Sequence, residues 1–569
     1  MPTTKKWIEN KDISAKVIAE LANAININPV LAKVLLKRGV KTFEQAKTYF
    51  RPKLEDLHDP FLMKDMEVAV KRLTDAFESN ENILVYGDYD VDGTTAVATM
   101  FSFLKAQEAN VAYYIPDRYR EGYGLSTAGI DFAHDNEVTL MISLDCGIKA
   151  VEKVAYASQL GIDIIICDHH LPASDLPKAT AILDPKRAGC AYPFKELSGC
   201  GVGFKLIQAL CSKLNLPEHM AYEYLDLVAV SIAADIVAVT GENRTLAYYG
   251  LEKINFNPKP GLKALLQLAN VTEKIEIAHL VFQISPKINA AGRIDHAHLA
   301  VKLLIAKNED EAQVIAKQVS DKNNRRKDFD QGITKEAIAL IEGDEQLKKA
   351  KSTVLFQQHW HKGVIGIVAS RCIEKYYRPT VILTASNGQA TGSARSVHGF
   401  DVYKAISKCA KHLTQFGGHK YAAGLTMPIE NIGAFQEMFE EEVTQTIQAD
   451  DLIPKINIDS YLHLDQITPN FFNVLSQMDP YGPENMQPVF AARNIELVED
   501  AQILKKEHLR FIVKDADGNK AFTAIAFGQA DAKAIMSENN NFEMAFTIQQ
   551  NEYKGHKSLQ LVVKDIRSL

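Results

Sequence analysis

The chain has 569 residues, of which 46% are hydrophobic and 24% charged, with a formal net charge of -7. This length predicts several domains with ample core, and the composition is that of an ordinary soluble protein. The acidic total does not exclude a nucleic-acid partner, but it requires basic residues to be concentrated in a groove. No apolar run is long enough to span a bilayer, since Asp235 interrupts the best one. Seven cysteines without C-x-x-C spacing, and no secretory stretch after MPTTKKWIENK, predict reduced thiols in the cytoplasm.

Residues 1–80 read as helices broken by an irregular proline-containing connection, RPKLEDLHDPFLMKD. They are expected to pack beside the next domain, with Trp7 and Tyr49 as core or cap residues. That domain, 81–256, is organised by NILVYGDYDVDG (82–93), an apolar strand running into three alternating aspartates. Asp88, Asp90 and Asp92 repel one another unless water or cations neutralise them, so the stretch is an acidic turn or a metal site. The second strand, VAYYIPDRY (111–119), ends in Pro-Asp-Arg before EGYGLS. Arg118 and Arg120 then share that sheet edge, as surface or ligand-binding arginines.

The construction recurs downstream. LMISL (140–144) runs into Asp145-Cys146-Gly147, and IDIIIC (162–167) into Asp168-His169-His170. Helical stretches separate these strands, so they should lie parallel with their carboxyl ends on one edge. Ligands bind at that edge, at a topological switch point. Asp235 sits within the otherwise apolar LVAVSIAADIVAV (227–239), where an aspartate is costly unless paired, and a cation would pair it. Oxygen-rich ligation with one or two imidazoles suits Mn2+ or Mg2+, whereas zinc sites prefer more His and Cys. More carboxylates than one divalent ion needs point to two ions, about 3.5–4 Å apart in sites that hydrolyse phosphate esters. SGCGVG (198–203) lacks the Walker lysine and the Rossmann spacing, so a tight turn is expected there rather than a phosphate cradle.

Within 257–350, the charged run containing SDKNNRRKDFD predicts a long helix bridging two domains, with Arg325 and Arg326 on its solvated face. Residues 351–449 again alternate strand and helix: TVLFQQ, a helix over 363–376, TVILTA and QATGSARS. Ser393 and Arg395 should point to the same side of an extended segment, and arginine suits phosphate because its planar donors contact two oxygens. The glycines of GGH would let backbone approach an anion beside His419, or form a turn with an exposed histidine. His359, His361 and His412 match no motif. Residues 450–569 carry β-rich runs around DADGNK and predict a small antiparallel barrel. Phe511, Phe522, Phe527 and Tyr553 are candidates for stacking on bases, although most are expected in the barrel core. An excess of acidic residues in this segment counts against strand binding. The fold class is therefore α/β: two α/β domains joined by a long helix, plus a C-terminal β-barrel.

GDYDVDG, SLDCG, DHH and the aspartate of SIAADIVAV, in this order, resemble the four signature motifs of the DHH phosphoesterases. ISPKINAAGRI (284–294), GSARS (392–396) and FGGHKYAAG (416–424) narrow the resemblance, over nearly the whole chain, to the RecJ family of single-strand-specific exonucleases. It implies a parallel-sheet DHH domain, a smaller DHHA1 substrate domain and a C-terminal OB-fold. It implies hydrolysis of single-stranded DNA, 5′ to 3′, by two Mn2+ or Mg2+ ions in repair and recombination. Asp90, Asp92, Asp145, His169 and Asp235, with Asp88, would hold the ions, and Asp145 would bridge them. Asp168 would orient the histidine pair and His170 would contact the scissile phosphate. Arg118, with Ser393, Arg395 and His419 across a cleft and Arg293 reaching in from the connection, would bind substrate. Single-stranded DNA, a single-strand-binding protein and a helicase are the implied partners.

Two departures stand out. Related small-substrate phosphatases carry a metal-binding histidine where this chain has Tyr86, so one ion would lean on Asp88 or water. YGPENMQPVF (481–490) lacks the expected glycine-asparagine form, which puts its local turn in question. Competing readings are a DHH phosphodiesterase of short oligonucleotides or cyclic dinucleotides, and a non-catalytic DNA-binding scaffold. The barrel and GSARS count against the first, and the intact carboxylates against the second.

Overall fold

The runs ILVYG, LMISL and DIIIC form neighbouring parallel strands, Ile83–Gly87, Leu140–Leu144 and Asp163–Cys167. Such near-continuous apolar runs bury both faces of a sheet. Val111–Tyr114 pairs outside the first of them and Ala181–Leu183 outside the last, all in parallel. Helices Met66–Glu78, Val91–Ala106, Gly199–Lys213 and Leu225–Ala234 contribute to the core on one face. Thr127–Asp135 and Val151–Gln159 cover the other. In chain order the strands run 2-1-3-4-5, a doubly wound sheet whose switch point lies beside the first strand.

The computed structural model describes residues 5–9, 13–538, 541–553 and 555–568, arranged in two units. The parallel sheet belongs to a unit of Arg38–Asn324 with Leu475–Gln487; the other holds the chain up to Lys37, Arg325–Val474 and the chain from Pro488. The chain passes from one to the other within a single 35-residue helix, Glu309–Gly343. Ala312, Ala316 and Val319 of that helix are buried in the core of the first unit, and Ile333, Ala337 and Ile341 in that of the second.

The second unit carries a mixed sheet in the order Gln415–His419, Ala422–Met427, Gln389–Arg395, Thr380–Ser386, Thr353–Gln357, of which only the last pair is parallel. GGH lies within its edge strand, and the turn falls at Lys420 and Tyr421 instead. Gly418, at φ 148°, is required there because a Cβ would come 2.6 Å from Ala423 Cα on the adjoining strand. A closed five-stranded barrel follows, running Phe490–Leu504, His508–Asp515, Phe522–Ala526, His556–Ser568 and Phe542–Tyr553, then back to Phe490–Leu504. Its Phe522–Ala526 and His556–Ser568 pair is parallel, where an antiparallel barrel was expected. Phe511 and Phe522 are buried, Phe527 is 58% exposed, and the Tyr553 side chain lies outside the described residues.

Residues 1–80 do not act as one block. A strand absent from the sequence reading, Lys6–Glu9, pairs in parallel with Lys455–Ile458, and the Trp7 indole donates to Asp565 at 2.7 Å. The chain from Arg38 groups with the parallel sheet, as does the returning segment Leu475–Gln487. Buried Arg244 donates to the carbonyls of Gln477, Met478, Asp479 and Pro480, with its guanidinium 4.0 Å from the Tyr49 ring centroid. Asn485 closes the YGPENMQPVF turn by donating to the carbonyls of Met478 and Pro480. No helix among the described residues is long and apolar enough to cross a membrane.

Candidate metal centre

The motif aspartates stand where strands end and helices begin. Asp88 follows Ile83–Gly87 directly, and Asp90 caps helix Val91–Ala106 by accepting from the Gly93 amide at 3.0 Å. Asp92, in the first turn, accepts from the amides of Gly199 (2.7 Å) and Cys200 (2.8 Å) and from the Ser231 hydroxyl (2.6 Å). The glycine-rich stretch is thus a helix start, capped by Ser198, and it does cradle an anion; the anion is the carboxylate of Asp92. Gly199 is needed for a second reason: a Cβ there would lie 2.6 Å from Asp145 Cβ. Asp145 ends its strand at φ 59°, and Asp235 caps the carboxyl end of helix Leu225–Ala234.

These residues converge on His169. Its Nε2 lies 3.2 Å from Asp145, 3.5 Å from Asp235 and 3.7 Å from Asp92, without hydrogen-bond geometry to any of them. Both His169 ring nitrogens, Asp145 Oδ1 and Asp88 Oδ2 are buried and lack hydrogen-bond partners among the described residues. Buried polar atoms are almost always satisfied, so their clustering here marks a place for a ligand. Asp145, His169 and His170 form one group whose ligand atoms lie within 4.8 Å of one another, and Asp92, His169 and Asp235 form a second. Two such groups sharing one imidazole, dominated by carboxylate oxygen, fit divalent Mn2+ or Mg2+. Asp88 and Asp90 stand outside both groups.

Without cations the cluster is electrostatically strained. Burial, then the charges of Asp92, Asp90 and Asp235, push the Asp145 carboxyl well above its ordinary range. Burial and the charges of Asp92 and Asp90 push Asp235 up to about 8. Asp88 is raised in the same sense by burial and Asp90. Asp168 goes the other way: burial would raise it, but His170 and the amides of Ile148 and His170 outweigh burial and hold it at about 2. It accepts from His170 Nδ1 at 2.7 Å and from the amides of Ile148, His169 and His170. Burial would lower His170, yet Asp168 holds it above its ordinary value; burial lowers His169.

Three residues near the cluster were not singled out, or not placed, by sequence reasoning. Asp184 ends the fifth parallel strand, is buried, and is pushed up to about 7 by burial. AILDPKR repeats the apolar-run-then-aspartate signal and could have revealed it. The Tyr86 hydroxyl donates to the Gly124 carbonyl at 2.8 Å, anchoring the EGYGLS loop. That loop carries Tyr123, whose hydroxyl reaches Asp145 and His170.

The candidate phosphate ligands fall in both units. In the first, the Arg118 guanidinium lies 4.8 Å from the Tyr89 ring centroid and exerts a favourable charge on Asp88 and Asp90. Arg293 lies in the last turn of helix Ser285–Ile294; its carbonyl accepts from the Tyr119 hydroxyl, and the preceding Gly292 packs against the Tyr89 backbone. In the second unit, Arg395 donates to Ser393 Oγ at 2.9 Å, and both groups lie over Gly366 in the first turn of helix Ile365–Tyr376. His419 pairs with Ala422, and Ala422 with Arg395, so the two side chains share one sheet face. Gly417 and Gly424 leave that face open beside Ser393.

Residues 82–232 match the model of the DHH family N-terminal domain, 349–445 that of the DHHA1 domain and 458–565 that of the RecJ OB domain. With the doubly wound sheet and its aspartate-histidine edge, they define a DHH-type phosphoesterase. The chain is 34% identical over 553 residues to the single-stranded-DNA-specific exonuclease RecJ of Bacillus subtilis, covering 96% of this chain and 69% of that one. It is 32% identical over 560 residues to the Escherichia coli protein of the same name, covering 95% and 96%. The crystal structure of Thermus thermophilus RecJ in complex with Mn2+ matches with a TM-score of 0.85 at 27% identity, over 99% of this chain and 80% of that one. The chain belongs to the RecJ family.

Proposed function

We propose that this chain is a metal-dependent exonuclease that degrades single-stranded DNA from the 5′ end. The two ligand groups meeting at His169 carry the reading. The substrate class rests on relatives named as single-stranded-DNA-specific exonucleases. In this reading Asp90, Asp92, Asp145, His169 and Asp235 would hold two Mn2+ or Mg2+ ions, with Asp88 adding negative charge beside them. The bound ions supply positive charge against the scissile phosphate and acidify the attacking water.

The remaining tasks belong to the chain itself. Asp168, kept as a carboxylate, fixes the His170 ring through Nδ1, and the ring so held would stand against the scissile phosphate. Arg118 and Arg293 in one unit, and Ser393, Arg395 and His419 in the other, would each bind phosphate of the substrate. The 5′-to-3′ direction rests on the resemblance to the RecJ family and on taking the bound phosphate to be a 5′ terminus. By this division 81–256 performs hydrolysis, 351–449 holds substrate, 450–569 holds more distant strand, and 1–80 and 257–350 support and connect them. Seven free cysteines suit a cytoplasmic protein, and a role in repair with a single-strand-binding protein and a helicase is proposed from the family alone.

A time course on a 3′-labelled single strand with Mn2+ tests the reading. Shortening from the 5′ end is expected, and Asp145→Ala should abolish it while leaving single-strand binding largely intact. Shortening from the 3′ end overturns the direction, and a wild-type rate in Asp145→Ala overturns the metal assignment.

A further inference from the structure

Tyr123 is an exposed aromatic whose polar end is pinned inside the metal centre. Its side chain is 55% exposed, yet its hydroxyl donates to the Asp145 carbonyl at 3.2 Å and lies 3.1 Å from His170 Nε2. The ring stands edge-on to His170, with centroids 5.9 Å apart at 77°, and edge-on to Tyr89 at 6.4 Å. Gly122 and Gly124 flank it at φ 87° and 81°, with open space where their Cβ atoms would be. Those glycines serve backbone conformation rather than packing. Buried Tyr86 ties the loop down through Gly124 and Ser126, so Tyr123 is held in place while its ring stays uncovered.

Two further exposed apolar residues adjoin members of the cluster in the chain. Leu171, one residue past His170, is 71% exposed, and Ile236, one residue past Asp235, is 67% exposed. Ile236 holds φ 60°, a left-handed conformation that a β-branched residue rarely adopts. Three large apolar side chains thus border a cluster of carboxylates and imidazoles. A phosphodiester alone gives such side chains nothing to contact, whereas a nucleobase offers a flat apolar face.

The geometry points to a double role for Tyr123: its ring stacks on the base of a nucleotide next to the scissile phosphate, while its hydroxyl braces His170. The hydroxyl gives its one proton to the Asp145 carbonyl and presents its oxygen to His170 Nε2, opposite the Asp168 contact. Both nitrogens of His170 are then held, and the ring cannot swing. This assignment rests on the nuclease reading and adds that the enzyme feels the base as well as the backbone.

The test uses the full-length enzyme on 5′-phosphorylated single strands carrying an abasic residue at each of the first three positions in turn. Wild-type enzyme should lose roughly tenfold in kcat/KM at one of these positions, the scale of a single stacked base. Tyr123→Ala, which removes both the stack and the brace, should lose more than that on the unmodified strand and lose no more on the abasic one. Tyr123→Phe should keep the sensitivity to the abasic position but show kcat lowered several-fold at unchanged KM, since His170 has lost its brace. Additive losses in Tyr123→Ala overturn the stacking role, and a wild-type kcat in Tyr123→Phe overturns the brace. Failure of wild-type enzyme to cut the unmodified strand would instead count against the nuclease reading itself.

Discussion

Arg395 illustrates how far a single residue can be taken. On strand Gln389–Arg395 its guanidinium is directed to Ser393, over a glycine in the first turn of a helix. Helix dipole, hydroxyl and planar cation together favour a phosphate. A charge-assisted hydrogen bond contributes roughly 1.5–3 kcal/mol, so Arg395→Ala should lower kcat/KM on 5′-phosphorylated strands about tenfold or more. The loss on 5′-hydroxyl strands should be much smaller, and equal losses would reduce Arg395 to a general backbone contact. Alternation along an extended strand made the pairing with Ser393 legible in the sequence. Tyr123 was not, because a residue between two loop glycines belongs to no periodic pattern.

At the scale of elements, the start of helix Gly199–Lys213 holds the centre together. Its first two amides fix Asp92, and its first residue has no room for a side chain against Asp145. Gly199→Ala should therefore push the helix off the Asp145 strand end, at an overpacking cost of about 1–3 kcal/mol. Urea unfolding would show the loss, and a Mn2+ titration should show weaker binding; wild-type values in both would mean the helix start yields without consequence. The sequence displayed the glycines but suggested a tight turn, since the carboxylate they serve lies 107 residues away. Similarly, GGH looked like a turn because nothing local indicates that its glycines face a neighbouring strand.

For the molecule as a whole, the chain beyond residue 450 does more than add a barrel. Leu475–Gln487 returns to the unit of the parallel sheet, where its carbonyls satisfy buried Arg244. A chain ending near Asp450 would leave that guanidinium with only the Tyr49 carbonyl among these partners. A hydrogen bond to a charged group contributes about 1.5–3 kcal/mol, so losing these carbonyls should make the truncated chain unfold at a markedly lower urea concentration. Its loss of activity would then report on folding and not on strand binding. Unfolding at the full-length midpoint would show that Arg244 finds other partners, and the truncation would become a direct measure of what the barrel contributes.

The sequence by itself determined the parallel sheet, the carboxyl edge on which the site forms and most of the residues that gather there. Apolar runs that bury both faces, each ending in an aspartate, are local patterns, and local patterns survive in a one-dimensional record. Only the tertiary structure decided that His169 is shared by two ligand groups, that Asp92 rests on helix amides and that Tyr123 closes on His170. It also decided that the Lys6–Glu9 strand pairs with Lys455–Ile458. Each of these contacts joins residues distant in the chain or set by loop conformation. Their free energy depends on positions that exist only once the chain has folded.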